Sequence, residues 1–175
     1  MHEVERQQLR ELAIFCALAA ALGPEAARAQ QLPASWTISG QMRCTDEQNV
    51  ASEHGFQLRK MGNNLRLSGI AGTSGVMFRM NGSIDAKRTG DIAPEWIRDG
   101  FKLVAARNTS KVAGNSISIT ADMQLTFEGK TSRTISTHRF VVENNRACRA
   151  TRDFSDTSLP GNAASTCVST SCRLE

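Results

Sequence analysis

The feature that most limits what this chain can fold into is a period-two alternation that dominates it from Trp36 to Val142. Its longest stretch sets Ile117, Ile119, Ala121, Met123, Leu125 and Phe127 on one face and Ser116, Ser118, Thr120, Asp122, Gln124 and Thr126 on the other. Successive side chains of a strand point to opposite faces, so a polar residue at every second position predicts an antiparallel strand with one dry and one wet face. Trp36, Ile38, Gly40, Met42 and Cys44 follow the same rule, and Phe56, Leu58, Leu65 and Leu67 flank a Gly62-Asn63 turn. Val76, Phe78, Met80, Gly82, Ile84 and Ala86 stay in phase through Asn81-Gly82. That phase predicts one long strand bent at Gly82 rather than a hairpin, with the turn at Arg88 to Asp91.

About eight strands follow: 35–44, 55–61, 64–69, 76–86, 101–106 (Phe101, Leu103 and Ala105 in phase), 115–128, 131–143 and 147–152. Pro94 and Gly100 bracket Glu95 to Asp99 and predict one short helix near 94–99. The fold class is all-β: a small antiparallel up-and-down barrel, with a two-layer β-sandwich as the alternative. Closure is favoured because it removes the edges of long strands. Trp36, preceded by Ser35, resembles the opening of lipocalin and avidin barrels; the resemblance implies architecture and transfers no functional residue. Outward positions such as Arg43, Gln57, Arg59, Arg66, Arg79 and Asp122 are the wrong chemistry for a lipid-facing band, so the chain is expected not to span a membrane once its leader is cleaved.

The two ends of the chain read differently. Leu12 to Leu22 is an apolar run, broken by Gly23-Pro24 and followed by Ala27-Arg28-Ala29, which predicts a signal peptide over 1–29 and a mature start at Gln30. A barrel domain is then expected over 30–154 and a periplasmic or secreted location. Residues 155–175 are small and polar, and predict a flexible tail with a small disulfide loop. The first 29 residues hold three of the 21 basic and four of the 17 acidic side chains, leaving 18 against 13 in the rest. That mild surplus, with two tryptophans and no tyrosine, argues against a nucleic-acid binder. Four cysteines remain in the mature chain, Cys44, Cys148, Cys167 and Cys172. Of three possible connectivities, Cys44–Cys148 with Cys167–Cys172 is preferred. No metal-binding spacing is present and no cofactor is expected.

Three constellations stand out. A two-residue turn at Gly62-Asn63 sets Arg59 opposite Arg66, and pairing Leu67 with Phe78 adds Arg79 to the row, a cationic face for an anionic or acidic exported partner. A turn at Gly129-Lys130 sets Phe127 opposite Ser132, Leu125 opposite Thr134 and Ala121 opposite His138. The inward face of that strand is then Ser132, Thr134, Ser136, His138, Phe140 and Val142, polar at one end, which suits a pocket lining. Trp96 is the third, as a plug or a partner contact, and joins Ser136 and His138 as a candidate ligand contact. Common catalytic motifs are absent. The sequence therefore reads as an exported, non-enzymatic binding protein of the cell envelope, holding a small ligand. An interaction or inhibitor protein presenting the arginine face or a loop is the alternative, and an enzyme of unrecognised chemistry the third.

Overall fold

A computed structural model describes residues 32–69, 75–86, 100–143, 146–157 and 163–175. The expected signal peptide, the turn at 88–91 and the helix near 94–99 with Trp96 lie outside those residues. The described part holds β1 (Thr37–Asp46), β2 (Ala51–Met61), β3 (Asn64–Ser68), β4 (Val76–Arg79), β5 (Gly82–Ala86), β6 (Lys102–Ala113), β7 (Ser116–Phe127), β8 (Lys130–Val142), β9 (Cys148–Asp156) and β10 (Ala163–Leu174). Among the described residues there is no helix.

All ten strands form one antiparallel sheet in the order β4-β3-β2-β1-β10-β9-β8-β7-β6-β5. Every strand lies beside its neighbour in sequence except at one place: β1 and β10 pair with each other, and β4 and β5 leave the seam. The single sheet excludes the sandwich alternative and makes a nearly closed barrel. The seam is bridged by side chains. Asn108 Nδ2 donates to the Met77 carbonyl (3.0 Å), Ser110 Oγ to the Arg79 carbonyl (2.7 Å), and the Val112 N–H to Asn81 Oδ1 (2.5 Å). These bonds occupy two main-chain acceptors and one main-chain donor that an open edge would offer to another chain.

The count of ten replaces the expected eight for two reasons. First, the strand over 76–86 is two strands. At opposite ends of an alternating ten-stranded sheet, β4 and β5 run in opposite directions, so the chain reverses at Met80-Asn81, where Asn81 has φ 53°. The Asn-Gly turn signal outweighs the unbroken phase. Second, the expected tail contributes β10, which pairs with β1 on one side and β9 on the other. A bulge hides it from pattern reading. Gln41 pairs with Ser171 and Met42 with Ser169, so Thr170 is the extra residue. The phase flips there, and Cys167 and Leu174 both face the interior despite their odd spacing. Gly40 sits beside this bulge; a Cβ there would lie 2.0 Å from the Ser171 carbonyl oxygen, so the two backbones approach as only glycine permits.

The preferred disulfide pairing is also corrected. Cys44 bonds Cys167, and Cys148 bonds Cys172. Cys44 and Cys167 are direct cross-strand partners, whereas Cys44 and Cys148 sit on strands that β10 separates. Two disulfides in one small domain point to an oxidising, non-cytoplasmic compartment.

The interior divides into halves. Ile38, Met42, Leu58, Leu65, Leu67, Phe78, Ile117, Ile119 and Phe140 are fully buried in one apolar cluster. Phe56 and Phe140 meet across it with ring centroids 5.7 Å apart. Burial of such side chains stabilises by about 1.5–3 kcal/mol each. A second, smaller cluster of Ala106, Met123 and Leu125, with Phe101 and Leu103 against it, lies toward the Glu128-Gly129 turn. Between and beside the two clusters the inner face is polar.

Candidate functional site

The polar inner face is built by β8 and β9, with β6 on the far side of β7. Alternation on β8 sends Ser132, Thr134, Ser136 and His138 inward, all buried, as the sequence pattern requires. The register differs from expectation by two residues. The turn is Glu128-Gly129, with φ 48° and 76°, so Leu125 pairs with Ser132, Met123 with Thr134, Ala121 with Ser136 and Ile119 with His138. A slip of two keeps every side chain on its face, so the inward set survives while the partners change.

On β9, Cys148, Ala150 and Arg152 face inward, and His138 pairs directly with Arg152. Arg152 Nε donates to Ser136 Oγ at 3.0 Å, and the Ser136 hydroxyl lies 3.0 Å from His138 Nε2. Because the guanidinium only donates, the serine proton is free to go to His138 Nε2, the arrangement in which the imidazole carries its proton on Nδ1. The Arg152 guanidinium also stacks on Phe154, 4.8 Å from the ring centroid. No carboxylate among the described residues pairs with this cation, and its two Nη groups make no hydrogen bond there. Arg152 is only 6% exposed.

Three buried polar atoms in this interior have no partner: Thr134 Oγ1, His138 Nδ1 and Asn108 Oδ1. Each such group costs about 1–3 kcal/mol when left dry. The register sets Asn108 level with Ser136, for Asn108 pairs with Ala121 and Ala121 with Ser136, one small residue lying between the two polar ones. Burial, and then the Arg152 charge, push the His138 imidazole down to about 3. Burial pushes Arg152 down to about 10, so it is still a cation at neutral pH. A neutral histidine of such low basicity, with no acid among the described residues behind Nδ1, is poorly matched to general-base work on Ser136. The arrangement is suited instead to donating and accepting hydrogen bonds toward an occupant.

Asn108 and Arg152 were not among the residues picked out from sequence. A bulge at Val104, between the pairs Leu103–Leu125 and Ala105–Gln124, reverses the phase of β6. Ala106, Asn108 and Ser110 are therefore buried, where the sequence had placed Phe101, Leu103 and Ala105 in one phase. Arg152 stood at the expected end of its strand; the run Cys148, Ala150, Arg152, Phe154 was the signal that it continues inward.

The arginine row is partly changed. Arg59 pairs with Arg66, but Arg66 then pairs with Met77, and Arg79 stands opposite Asn64. Leu67 pairs with Val76 rather than Phe78, which moves Arg79 out of the row by two residues. All three are exposed. Three other outward arginines are matched: Arg133 holds Asp122 through two bonds (2.8 and 2.6 Å), Arg139 meets Asp153 and Arg149 meets Glu143. The Arg133 hydrogen bond keeps the Asp122 carboxyl below its usual range. A cleft of about 650 Å³ on the outer face holds Asp85, Arg107, Asp122 and Arg133, charges that already have opposite neighbours. With all four described cysteines oxidised, no thiolate is left for a metal, and among the described residues no group of three or more His, Cys, Asp or Glu side chains gathers.

No known family model matches the sequence, and no curated protein is similar to it. A solved structure described as "De novo design of transmembrane beta-barrels" aligns with 83% of this chain and 99% of its own length, at 7% identity and a TM-score of 0.38.

Proposed function

We propose that the protein is an exported, non-enzymatic binding protein of the cell envelope that holds a small ligand in the polar half of its barrel. The observation that carries this reading is the set of buried, unpartnered atoms on the inner face, Thr134 Oγ1, His138 Nδ1 and Asn108 Oδ1, beside an Arg152 whose Nη groups bond no described residue. An occupant with hydrogen-bonding groups would remove their desolvation cost. Side-chain size supports it. Beside Met123 and Leu125, this half carries short inner residues, Ala106, Ser132, Thr134 and Ser136, where the other half carries mostly Phe, Leu, Ile and Met. A ten-stranded ring is wider than the eight-stranded one that side chains just fill, so short inner residues suit a lodged ligand. The exported location rests on the disulfides and on the leader pattern of residues 12–29. The polar outer face, with Arg43, Arg59, Arg66 and Arg79 exposed, is unlike a lipid-facing band and supports a water-soluble barrel.

Native mass spectrometry of protein purified from its own compartment tests both parts. The expected spectrum shows a chain beginning at Gln30 and a non-covalent small molecule that is lost on denaturation. A bare chain, with ordered water satisfying Thr134 and His138, would remove the ligand reading. A second reading, a partner-binding cationic face, is favoured by one observation: Arg59 and Arg66 face each other with no ion pair among the described residues.

A further inference from the structure

We infer that the ligand is a small amphipathic carboxylate, its anionic group seated on the free Nη edge of Arg152 and its apolar part against Ala106, Met123 and Leu125. This rests on the ligand-binding reading above and assigns the chemical class of the occupant.

A guanidinium brought out of water without a carboxylate is costly, because hydration is lost and no opposite charge replaces it. Arg152 is so placed. Its Nε is engaged by a neutral hydroxyl and its flat face by Phe154, which leaves the two Nη groups, side by side, for a planar two-oxygen acceptor. A carboxylate matches that fork. Around it the groups are also mostly those a carboxylate needs. The Ser136 hydroxyl is already committed between Arg152 Nε and His138 Nε2, and with that proton arrangement His138 presents Nδ1 as an unpartnered donor. Thr134 Oγ1 supplies a second on the same inner face. A neutral polar ligand would use these donors but leave the buried charge unanswered.

The rest of the ligand is dictated by the neighbouring wall. On β7 the residues beyond Ala121 toward the Glu128-Gly129 turn are Met123 and Leu125, and on β6 Ala106 faces them. Phe101 and Leu103 extend that wall. This cluster is separate from the main core, so one side of the compartment is apolar and the other carries Ser132 and Thr134. From the level of Arg152 to that of Leu125 is six residues of β7, about 20 Å of strand. An aliphatic chain of moderate length would span that run.

The probe pair is decanoate and decan-1-ol, titrated calorimetrically into protein freed of any retained molecule by unfolding and refolding with its disulfides intact. Decanoate is expected to bind at least about tenfold more tightly than the alcohol, the difference that one charge-assisted pair supplies. Arg152→Met should erase the preference, and Arg152→Lys should keep part of it. Equal affinity for the two probes overturns the carboxylate assignment and leaves ligand binding standing. Binding of neither probe also overturns it, and the retained molecule in the native spectrum then decides the broader reading separately. Should Arg152→Met fail to fold, the comparison on the unaltered protein still decides.

Discussion

His138 and Arg152 face each other across adjacent strands with one serine hydroxyl between them, and their chemistry follows from that spacing. The imidazole is fully buried and titrates near 3 in the fold against 6.5 in an open chain. Between those values the unfolded chain binds a proton that the folded chain excludes. Stability is therefore undiminished above pH 6.5 and falls as pH drops from 6.5 toward 3, by up to about 1.4 kcal/mol per unit. Urea unfolding at a series of pH values should show this slope in the unaltered protein and a flatter profile in His138→Gln. Parallel profiles would mean that His138 is not held neutral by its surroundings. Ser136 and His138 were legible in the sequence, because alternation alone sends both inward. Arg152 was less so: a charged residue at the end of a short apolar run reads as a strand terminus until β10 is known to cover its far side.

The element that changes the picture most is β10. Its inward residues include Cys167 and Leu174 but little other apolar surface, and Val168 points outward. Hydrophobic burial alone would not order such a segment, which is why its composition reads as a tail. Main-chain pairing to both neighbours and two covalent links hold it instead. The links differ in the chain they close, 123 residues for Cys44–Cys167 and 24 for Cys148–Cys172. Loop-closure entropy then predicts losses of about 5 and about 3.5 kcal/mol respectively on replacing each pair by serine. Equilibrium urea unfolding of the two double variants checks the order; a reversed order would show that native packing around Cys148 outweighs loop entropy. Turns follow a similar division. Gly62-Asn63 announced its register correctly, Leu58 with Leu67 and Arg59 with Arg66. The β7–β8 turn uses Glu128 at positive φ, which a glutamate does not advertise, so the face was legible and the register was not.

At the scale of the whole molecule the barrel buries its polar cluster and spreads its charge outside. Arg133, Arg139 and Arg149 each have an acid beside them, while Arg59 and Arg66 stand opposite each other. Like charges directly opposed are unfavourable unless an external anion answers them. Replacing Arg59 and Arg66 by glutamine should lower the salt needed to elute the protein from heparin more than replacing Arg139 and Arg149, which changes net charge equally but removes arginines already paired. Equal shifts would leave the arginine pair as ordinary solvated surface. What the sequence by itself determined is the strand class, the face on which most side chains lie and the polar character of the inward β8 residues, because a period of two is a local property of the backbone. Long-range pairing fixed the number of strands, the disulfide partners, the meeting of Arg152 with Ser136 and His138, and the inward turn of Asn108. Those depend on bulges at Val104 and Thr170 and on a sheet curling until its first and last strands meet, and such long-range pairings leave no mark on local alternation.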